Sequence, residues 1–270
     1  MRGRSAFGRG AGRSGAETEA RRSQTARAWP RARNIKKNNN TIMKITLFTC
    51  FPEYFSGTFC SLLNKAKEKG LLEVNVVDIK KYGVGHYSKV DDRPAGGGSG
   101  LIMRPDVIEN ALTDNINVDE FNQPDGKKGL FIMSPRGEKF CQKMAQDISK
   151  LNEIAILCNR YEGVDQRAIE YFRMRQICVG EYILMGGETA AMAVIEASCR
   201  LVPGVLGNPE SIQNETFSGT YNDNIECDQY TFPREWHGMG TPEVLLSGNH
   251  QKVAEWRGEK KNNDKKYTKN

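Results

Sequence analysis

No apolar run in this chain approaches the roughly 20 residues that a membrane-crossing helix requires. The longest, Leu71 to Val77 and Ala190 to Ile195, are broken by Glu73 and Asn75 or stopped by Glu196. Histidine is scarce: His86, His237 and His250 stand apart, and the 7 cysteines include no C-x-x-C pair. No transition-metal ligand set is legible in that spacing. An odd, scattered set of cysteines also argues against a disulfide framework and predicts reduced, buried thiols of an intracellular protein. Also missing are the Gly-Lys-Ser/Thr end of a P-loop and a G-x-G-x-x-G fingerprint after the first predicted strand, which removes two common nucleotide-binding signatures.

Basic charge is abundant only at one end. The formal net charge is +6, yet residues 1–42 hold 9 Arg and 2 Lys against Glu17 and Glu19, leaving 28 basic and 31 acidic groups in residues 43–270. Nucleic-acid binding therefore cannot be read from overall charge. Of residues 1–33, 21 are Arg, Gly or Ala, a composition that predicts disorder. Two readings apply to this segment: an Arg-rich organelle transit peptide, or an upstream extension with the real start at Met43. The second is preferred, because Met43 directly precedes a strand pattern and Glu17 and Glu19 are foreign to a transit peptide. The corresponding expectation is a cytoplasmic protein, organellar if residues 1–42 are a transit peptide.

From Met43 onward, short apolar runs alternate with helical periodicity. Strands are predicted at Lys44–Thr49, Val74–Ile79, Leu130–Met133, Glu153–Cys158 and Arg175–Val179. Helices are predicted at Pro52–Lys69, Pro105–Ile116, Glu138–Lys150, Val164–Phe172 and Glu188–Leu201. This rhythm predicts an α/β fold with a mostly parallel sheet covered by helices on both faces. Residues 43–202 form that domain. Residues 203–228, rich in Gly, Asn, Ser and Asp, are predicted to be an interdomain linker. Residues 229–257 then form a small helical unit, and 258–270 a disordered tail.

In a parallel sheet, ligands sit beyond the carboxyl ends of the strands. Three predicted strands run directly into Ser134-Pro135-Arg136-Gly137, Asn159-Arg160-Tyr161-Glu162-Gly163, and Val179-Gly180-Glu181-Tyr182-Ile183-Leu184-Met185-Gly186-Gly187-Glu188. Each alone reads as a tight turn. Together they make a backbone-lined pocket suited to a nucleoside-like ligand, whose polar edges backbone N–H and C=O groups can meet. Upstream, Val90-Asp91-Asp92-Arg93-Pro94-Ala95-Gly96-Gly97-Gly98-Ser99-Gly100-Leu101 reads either as a mobile surface loop or as a place where backbone approaches a polar ligand or RNA. Further on lie Arg200 to Gly207, Asn214-Glu215-Thr216-Phe217 and Leu245-Leu246-Ser247-Gly248-Asn249-His250. By position, Arg200 reads as a helix C-terminal charge and Glu215 as a solvated carboxylate.

These six blocks, in this order over about Met43 to Arg257, closely resemble the bacterial tRNA (guanine-N1)-methyltransferase family of the SPOUT superfamily. The resemblance implies an N-terminal domain whose three loops form a deep trefoil knot, a flexible linker and a helical RNA-binding domain. It further implies an obligate homodimer bridged by tRNA, with no membrane association. S-adenosyl-L-methionine is expected among Ser134–Gly137, Asn159–Gly163 and Val179–Leu184 with Gly186–Glu188. tRNA contacts are expected at Asp92, Arg93, Gly97, Gly98 and Ser247–His250. The implied reaction is methylation of N1 of the guanosine 3′ to the anticodon, with Glu215 taking the N1 proton and Arg200 stabilising charge on O6; magnesium assists in the family. The chain departs from the family pattern at Glu215 (usually Asp), Asn159 (usually Gly), Met185 (usually small) and Phe232 (commonly Arg), and lacks the family's Arg-rich C-terminal segment. Two other readings stand beside it: a catalytically impaired member that binds only RNA or cofactor, and a dinucleotide-dependent oxidoreductase.

Overall fold

The computed structural model describes residues 42–208, 212, 215–217 and 227–263, the last five without their side chains. The expectations for residues 1–41 and 264–270, and for most of the linker, lie outside the described residues. Five strands form one sheet: β1 (Met43–Thr49), β2 (Leu72–Asp78), β5 (Lys128–Lys139), β6 (Glu153–Leu157) and β7 (Arg175–Cys178), in the order β2-β1-β6-β5-β7, while β3 (Asp91–Asp92) and β4 (Ile102–Met103) form a separate antiparallel pair. Every neighbouring pair is parallel, as the alternation of strand and helix patterns predicts. The central strands β1, β6 and β5 are near-continuous apolar runs because both faces are covered, whereas the edge strand β2 alternates.

Two helix pairs provide the cover. On one face Phe48, Leu130, Ile132, Ala155 and Leu157 share a core cluster with Val107, Ile108, Ala111 and Leu112 of α2 (Pro105–Asn115) and Ala168 and Ile169 of α4 (Gln166–Tyr171). The alternate side chains, Ile45, Leu47, Phe131, Met133, Ile154 and Ile156, point to the other face and are equally buried. That face is left to α3 (Gln142–Ile148) and α5 (Glu188–Cys199), which contact each other. Pro105 sits at the start of α2, where its missing N–H costs nothing, and Asp165 caps α4 by accepting from Arg167 N–H at 2.9 Å.

Some elements differ from the sequence expectation. The single helix predicted over Pro52–Lys69 is a 3-10 turn, Pro52–Phe55, followed by a separate helix α1, Ser61–Glu68. The left-handed Ser61 (φ 50) interrupts it; Phe55, Leu63 and Ala66 are buried, whereas Leu62 is exposed. The helix predicted from Glu138 starts at Gln142, because Glu138 and Lys139 remain in register with β7. Cys60 and Cys141 are exposed rather than buried, and Cys178 is intermediate. The C-terminal residues contain, besides the short helix α6 (Glu243–Leu246), a two-stranded hairpin, β8 (Glu235–Trp236) with β9 (Met239–Gly240). The last helix, α7, runs His250–Asn263, past the predicted boundary at 258.

The most consequential irregularity lies in β5. Ile177 of β7 faces both Met133 and Glu138, so Ser134–Gly137 leave the ladder as a four-residue excursion at the sheet's carboxyl edge. Gly137 makes this passage close to β7: a Cβ there would lie 2.4 Å from the Gln176 carbonyl carbon and 2.5 Å from the Ile177 nitrogen. Backbone cannot yield as a side-chain tip does. Gly137→Ala is therefore expected to lower the unfolding free energy by about 2 kcal/mol in chemical denaturation. Gly207→Ala, where a Cβ meets nothing within 4 Å, is expected to change it by less than about 0.5 kcal/mol.

Candidate active site

The three loops converge, as expected, beyond the carboxyl ends of β5, β6 and β7 and enclose a cleft of about 190 Å³. Ser134 and Pro135 come from the first loop, Asn159, Tyr161 and Glu162 from the second, and Val179, Gly180, Tyr182, Ile183, Leu184, Gly186 and Gly187 from the third. Met133, Ile177, Cys178, Met185 and Ala190 also line it; these were not among the sequence candidates, being strand ends, a helix residue and one loop methionine with no chemistry of their own to flag them. The lining joins apolar walls to a few polar groups (Ser134, Asn159, Glu162) and exposed backbone. Such a surface fits the adenosine, amine and carboxylate of S-adenosylmethionine.

Arg136, Gly137, Arg160, Gly163, Glu181 and Glu188 do not line the cleft. Gly137 provides the close passage beside β7, and Glu181, largely exposed, pairs with Lys139 at 3.3 Å. Arg160 and Glu188 hold each other. Glu188 is 1% exposed; its carboxylate accepts from Arg160 Nε at 3.0 Å and from the Thr49 hydroxyl at 2.8 Å, and pairs with Arg160 Nη2 at 2.9 Å. Thr49 Oγ1 in turn accepts Phe51 N–H at 2.9 Å, and Arg160 Nη1 donates to the Met185 carbonyl at 3.3 Å. The end of β1, the loop after β6 and the first turn of α5 are thus tied through one carboxylate. The α5 N-terminus stabilises that negative charge further.

Two neighbouring thiols feel this anion. Burial, then Glu188, pushes Cys50 up to about 11 and Cys158 well above the usual thiol range. Both stay protonated at neutral pH, so neither is a thiolate nucleophile. Tyr161, at φ 58, has its hydroxyl pushed up to about 12 by burial and then by the nearby Asp91 carboxylate.

Arg200 and Glu215 meet directly, which neither the reading of a helix-end charge nor that of a solvated carboxylate foresees. Arg200 Nη1 donates to Glu215 Oε2 at 2.6 Å and Nη2 donates to Oε1, a bidentate fork across the linker. The side chains are 33% and 23% exposed, and the bond to Glu215 raises the affinity of Arg200 for its proton. Neither lines the cleft.

The expected tRNA residues lie at the surface in two groups. Asp92 accepts from Arg93 N–H at 2.8 Å and pairs with Arg104 at 3.2 Å, while Gly97 and Gly98 have positive φ in the adjoining turn. Ser247–His250 join α6 to α7: Ser247 Oγ accepts Asn249 N–H, Asn249 Oδ1 accepts Lys252 N–H at 3.1 Å as a helix cap, and Gly248 supplies a positive φ.

The family model described as tRNA (Guanine-1)-methyltransferase TrmD matches residues 43–270. A tRNA (guanine-N(1)-)-methyltransferase of Jannaschia sp. (strain CCS1) is 45% identical over 212 residues, 78% of this chain and 84% of the relative. Proteins of the same name from Wolbachia pipientis subsp. Culex pipiens (strain wPip) and Ruegeria sp. (strain TM1040) are 44% and 41% identical, covering 80% of this chain and 90% and 86% of the relatives.

Removing one member of a buried ion pair leaves the other charge uncompensated. Glu188→Gln is therefore expected to lower the unfolding free energy by about 3 kcal/mol and to weaken cofactor binding through loosened loops. Glu181→Gln, at an exposed pair, is expected to leave the denaturation midpoint unchanged.

Proposed function

The chain belongs to the tRNA (guanine-1)-methyltransferase family, and on that premise we propose that it transfers a methyl group from S-adenosyl-L-methionine to N1 of the guanosine 3′ to the anticodon. The observation that carries this reading to the level of residues is the bidentate Arg200–Glu215 pair.

Guanine N1 carries a proton at neutral pH, and its lone pair becomes available only when that proton leaves. Glu215 accepts it. Charge then accumulates on O6, where the Arg200 guanidinium donates hydrogen bonds. The Watson–Crick edge of guanine presents the O6 acceptor beside the N1–H donor, so the base substitutes for each member of the resting pair: O6 takes Glu215's place on Arg200, and N1–H takes Arg200's place on Glu215. Adenine presents a donor and an acceptor in the reverse order and fits neither. When bound, S-adenosylmethionine supplies an electrophilic methyl with a neutral thioether as leaving group, so no covalent enzyme intermediate is needed. Reaching N1 requires a splayed base, which a single-stranded anticodon loop allows at low cost.

In this reading the loops of the cleft bind the cofactor as an interlaced trefoil knot. The Gly187 N–H bond to the Asn159 carbonyl at 2.9 Å, with a Gly187 Cβ position only 2.9 Å from Asn159 N, is consistent with chain passing that closely. The protein acts as a homodimer with tRNA across both copies, residues 229–263 contributing an RNA-binding unit beyond the linker. Ile183 and Met185, 80% and 94% exposed, offer apolar surface to a second copy. Magnesium enters with the RNA phosphates; among the described residues no group of three or more His, Cys, Asp or Glu side chains could hold it. No described helix is long and apolar enough to cross a membrane, and the cytoplasm, where tRNA is modified, is the proposed location.

The test is incubation with labelled S-adenosylmethionine and unmodified tRNA, followed by nucleoside chromatography. Label is expected in 1-methylguanosine; cofactor binding without transfer would instead identify an impaired family member. Arg200→Ala and Glu215→Ala are each expected to lower kcat by about 10²- to 10³-fold and to leave the cofactor Kd unchanged, because neither side chain lines the cleft. Full activity in both variants would overturn the assignment.

A further inference from the structure

Lysines at the two edges of the sheet are treated differently. Near the amino ends of the strands they are neutralised: Lys44 pairs with Glu73 at 3.7 Å, Lys127 with Asp125 at 3.6 Å, and Lys128 with both Glu120 and Glu153, the latter at 2.7 Å. Beyond the carboxyl end of β2 the pattern reverses. Residues 79–90 contain Lys80, Lys81 and Lys89 and no carboxylate. All three lysines are exposed, and none of them forms an ion pair among the described residues. Asp92, which follows shortly in the chain, is taken by Arg104 at 3.2 Å.

Backbone contacts gather these lysines on one small unit. Asp78 caps the 3-10 turn Ile79–Tyr82 by accepting Lys80 N–H at 3.0 Å, and Gly83 N–H returns to the Lys80 carbonyl at 3.2 Å. Val84 and Lys89 then exchange backbone hydrogen bonds of 2.9 and 3.0 Å, which closes a hairpin. Glycine is needed where its arms meet, because a Cβ on Gly83 would lie 2.1 Å from the Ser88 carbonyl oxygen. Lys89 is thereby brought back to the turn that bears Lys80 and Lys81. At the tip the rings of His86 and Tyr87 meet edge to face, 5.1 Å between centres, and Tyr87 is 81% exposed. The hairpin also borders the cleft. Strands β2 and β6 flank β1, so their carboxyl ends are about 10 Å apart. Phe51, just past β1, links the two: Lys80 Nζ is 5.4 Å from its ring centre and Arg160, of the second cleft loop, 4.3 Å.

We propose that residues 79–90 form an RNA-contacting surface beside the cleft, in which Lys80, Lys81 and Lys89 hold phosphates of the bound tRNA and Tyr87 offers its ring to an unpaired base. The proposal rests on the functional reading above and adds a contact surface that neither the cleft nor the Arg200–Glu215 pair supplies. Lysines that no carboxylate neutralises attract the phosphate backbone and release its counterions on binding. An exposed aromatic ring among them suits RNA better than a polyanion without bases, since every base presents a face for stacking. The hairpin is closed before RNA arrives, so binding orders only side chains.

The experiment measures the Kd of the full chain for an unmodified tRNA transcript over a range of KCl concentrations. Changing Lys80, Lys81 and Lys89 together to Gln is expected to reduce the slope of log Kd against log salt by about 2, and each single change by about 1. Tyr87→Ala is expected to weaken binding about tenfold at every salt concentration and to leave the slope unchanged. Changing Lys65, Lys67 and Lys69 to Gln, at and just past the end of α1, removes the same charge elsewhere and is expected to preserve the slope. The S-adenosylhomocysteine Kd and the denaturation midpoint are expected to stay at wild-type values in the hairpin variants. A wild-type slope in the triple hairpin variant would overturn the surface, and an equal loss in the α1 variant would assign the effect to overall charge and overturn it too. A parallel loss of cofactor affinity or of stability would mark the hairpin as merely structural. Unchanged affinity in Tyr87→Ala would overturn the base contact. Absence of tRNA binding by the wild type would overturn the functional reading itself, whereas a wild type that methylates tRNA beside a triple variant of unchanged slope would overturn the surface alone.

Discussion

The candidate site depends on a single buried carboxylate. Glu188 is almost wholly out of water, and Arg160, Thr49 and the start of α5 each meet its carboxylate. These partners come from segments 28 and 139 residues away in the chain, so satisfying one side chain brings the ends of β1 and β6 to the helix that follows β7. Arg160 also holds the Met185 carbonyl and lies 4.3 Å over the Phe51 ring. A guanidinium that the sequence offers as a ligand contact thereby becomes part of the frame around the ligand.

Glycine makes the rest of that frame possible. At Gly137 and Gly187 the position of a Cβ is already occupied by backbone from β7 and from the Cys158–Asn159 segment. The loops therefore approach each other main chain to main chain, and they present N–H and C=O groups to the cleft rather than long charged side chains. A ligand with a heteroaromatic edge, hydroxyls and a zwitterionic end is met well by such a surface. A polyanion is not, which agrees with a core whose charges nearly balance.

The proposed mechanism divides binding and proton transfer between two places. The three loops line the cleft, whereas the proposed proton acceptor Glu215 lies in the linker and is held at rest by its proposed cationic partner Arg200, at the end of α5. In that mechanism the resting pair keeps both groups hydrogen-bonded until a base of complementary pattern replaces each partner. The glycine-rich segment after Val90 is hydrogen-bonded at its far end to the second cleft loop, Glu162 N–H donating to the Leu101 carbonyl and Met103 N–H to the Gly163 carbonyl, each at 2.9 Å.

Much of this was legible in the chain itself. Short apolar runs alternating with 3.6-residue periodicity predicted five parallel strands and the helices between them, since a strand covered on both faces is read as a near-continuous apolar run. The position of three turn-rich loops directly after three such strands located the cleft, and the resemblance carried by six ordered blocks identified the family. Tertiary structure decided what no local pattern encodes: that Glu138 and Lys139 extend a strand instead of opening a helix, that Arg160 and Glu188 serve each other, and that Met103 buries itself against a loop 57 residues away. Periodicity reports which face a residue shows, because that depends on neighbours a few positions distant. Which partner satisfies a charge, and where two backbones can touch, depends on atoms brought together only when the sheet closes.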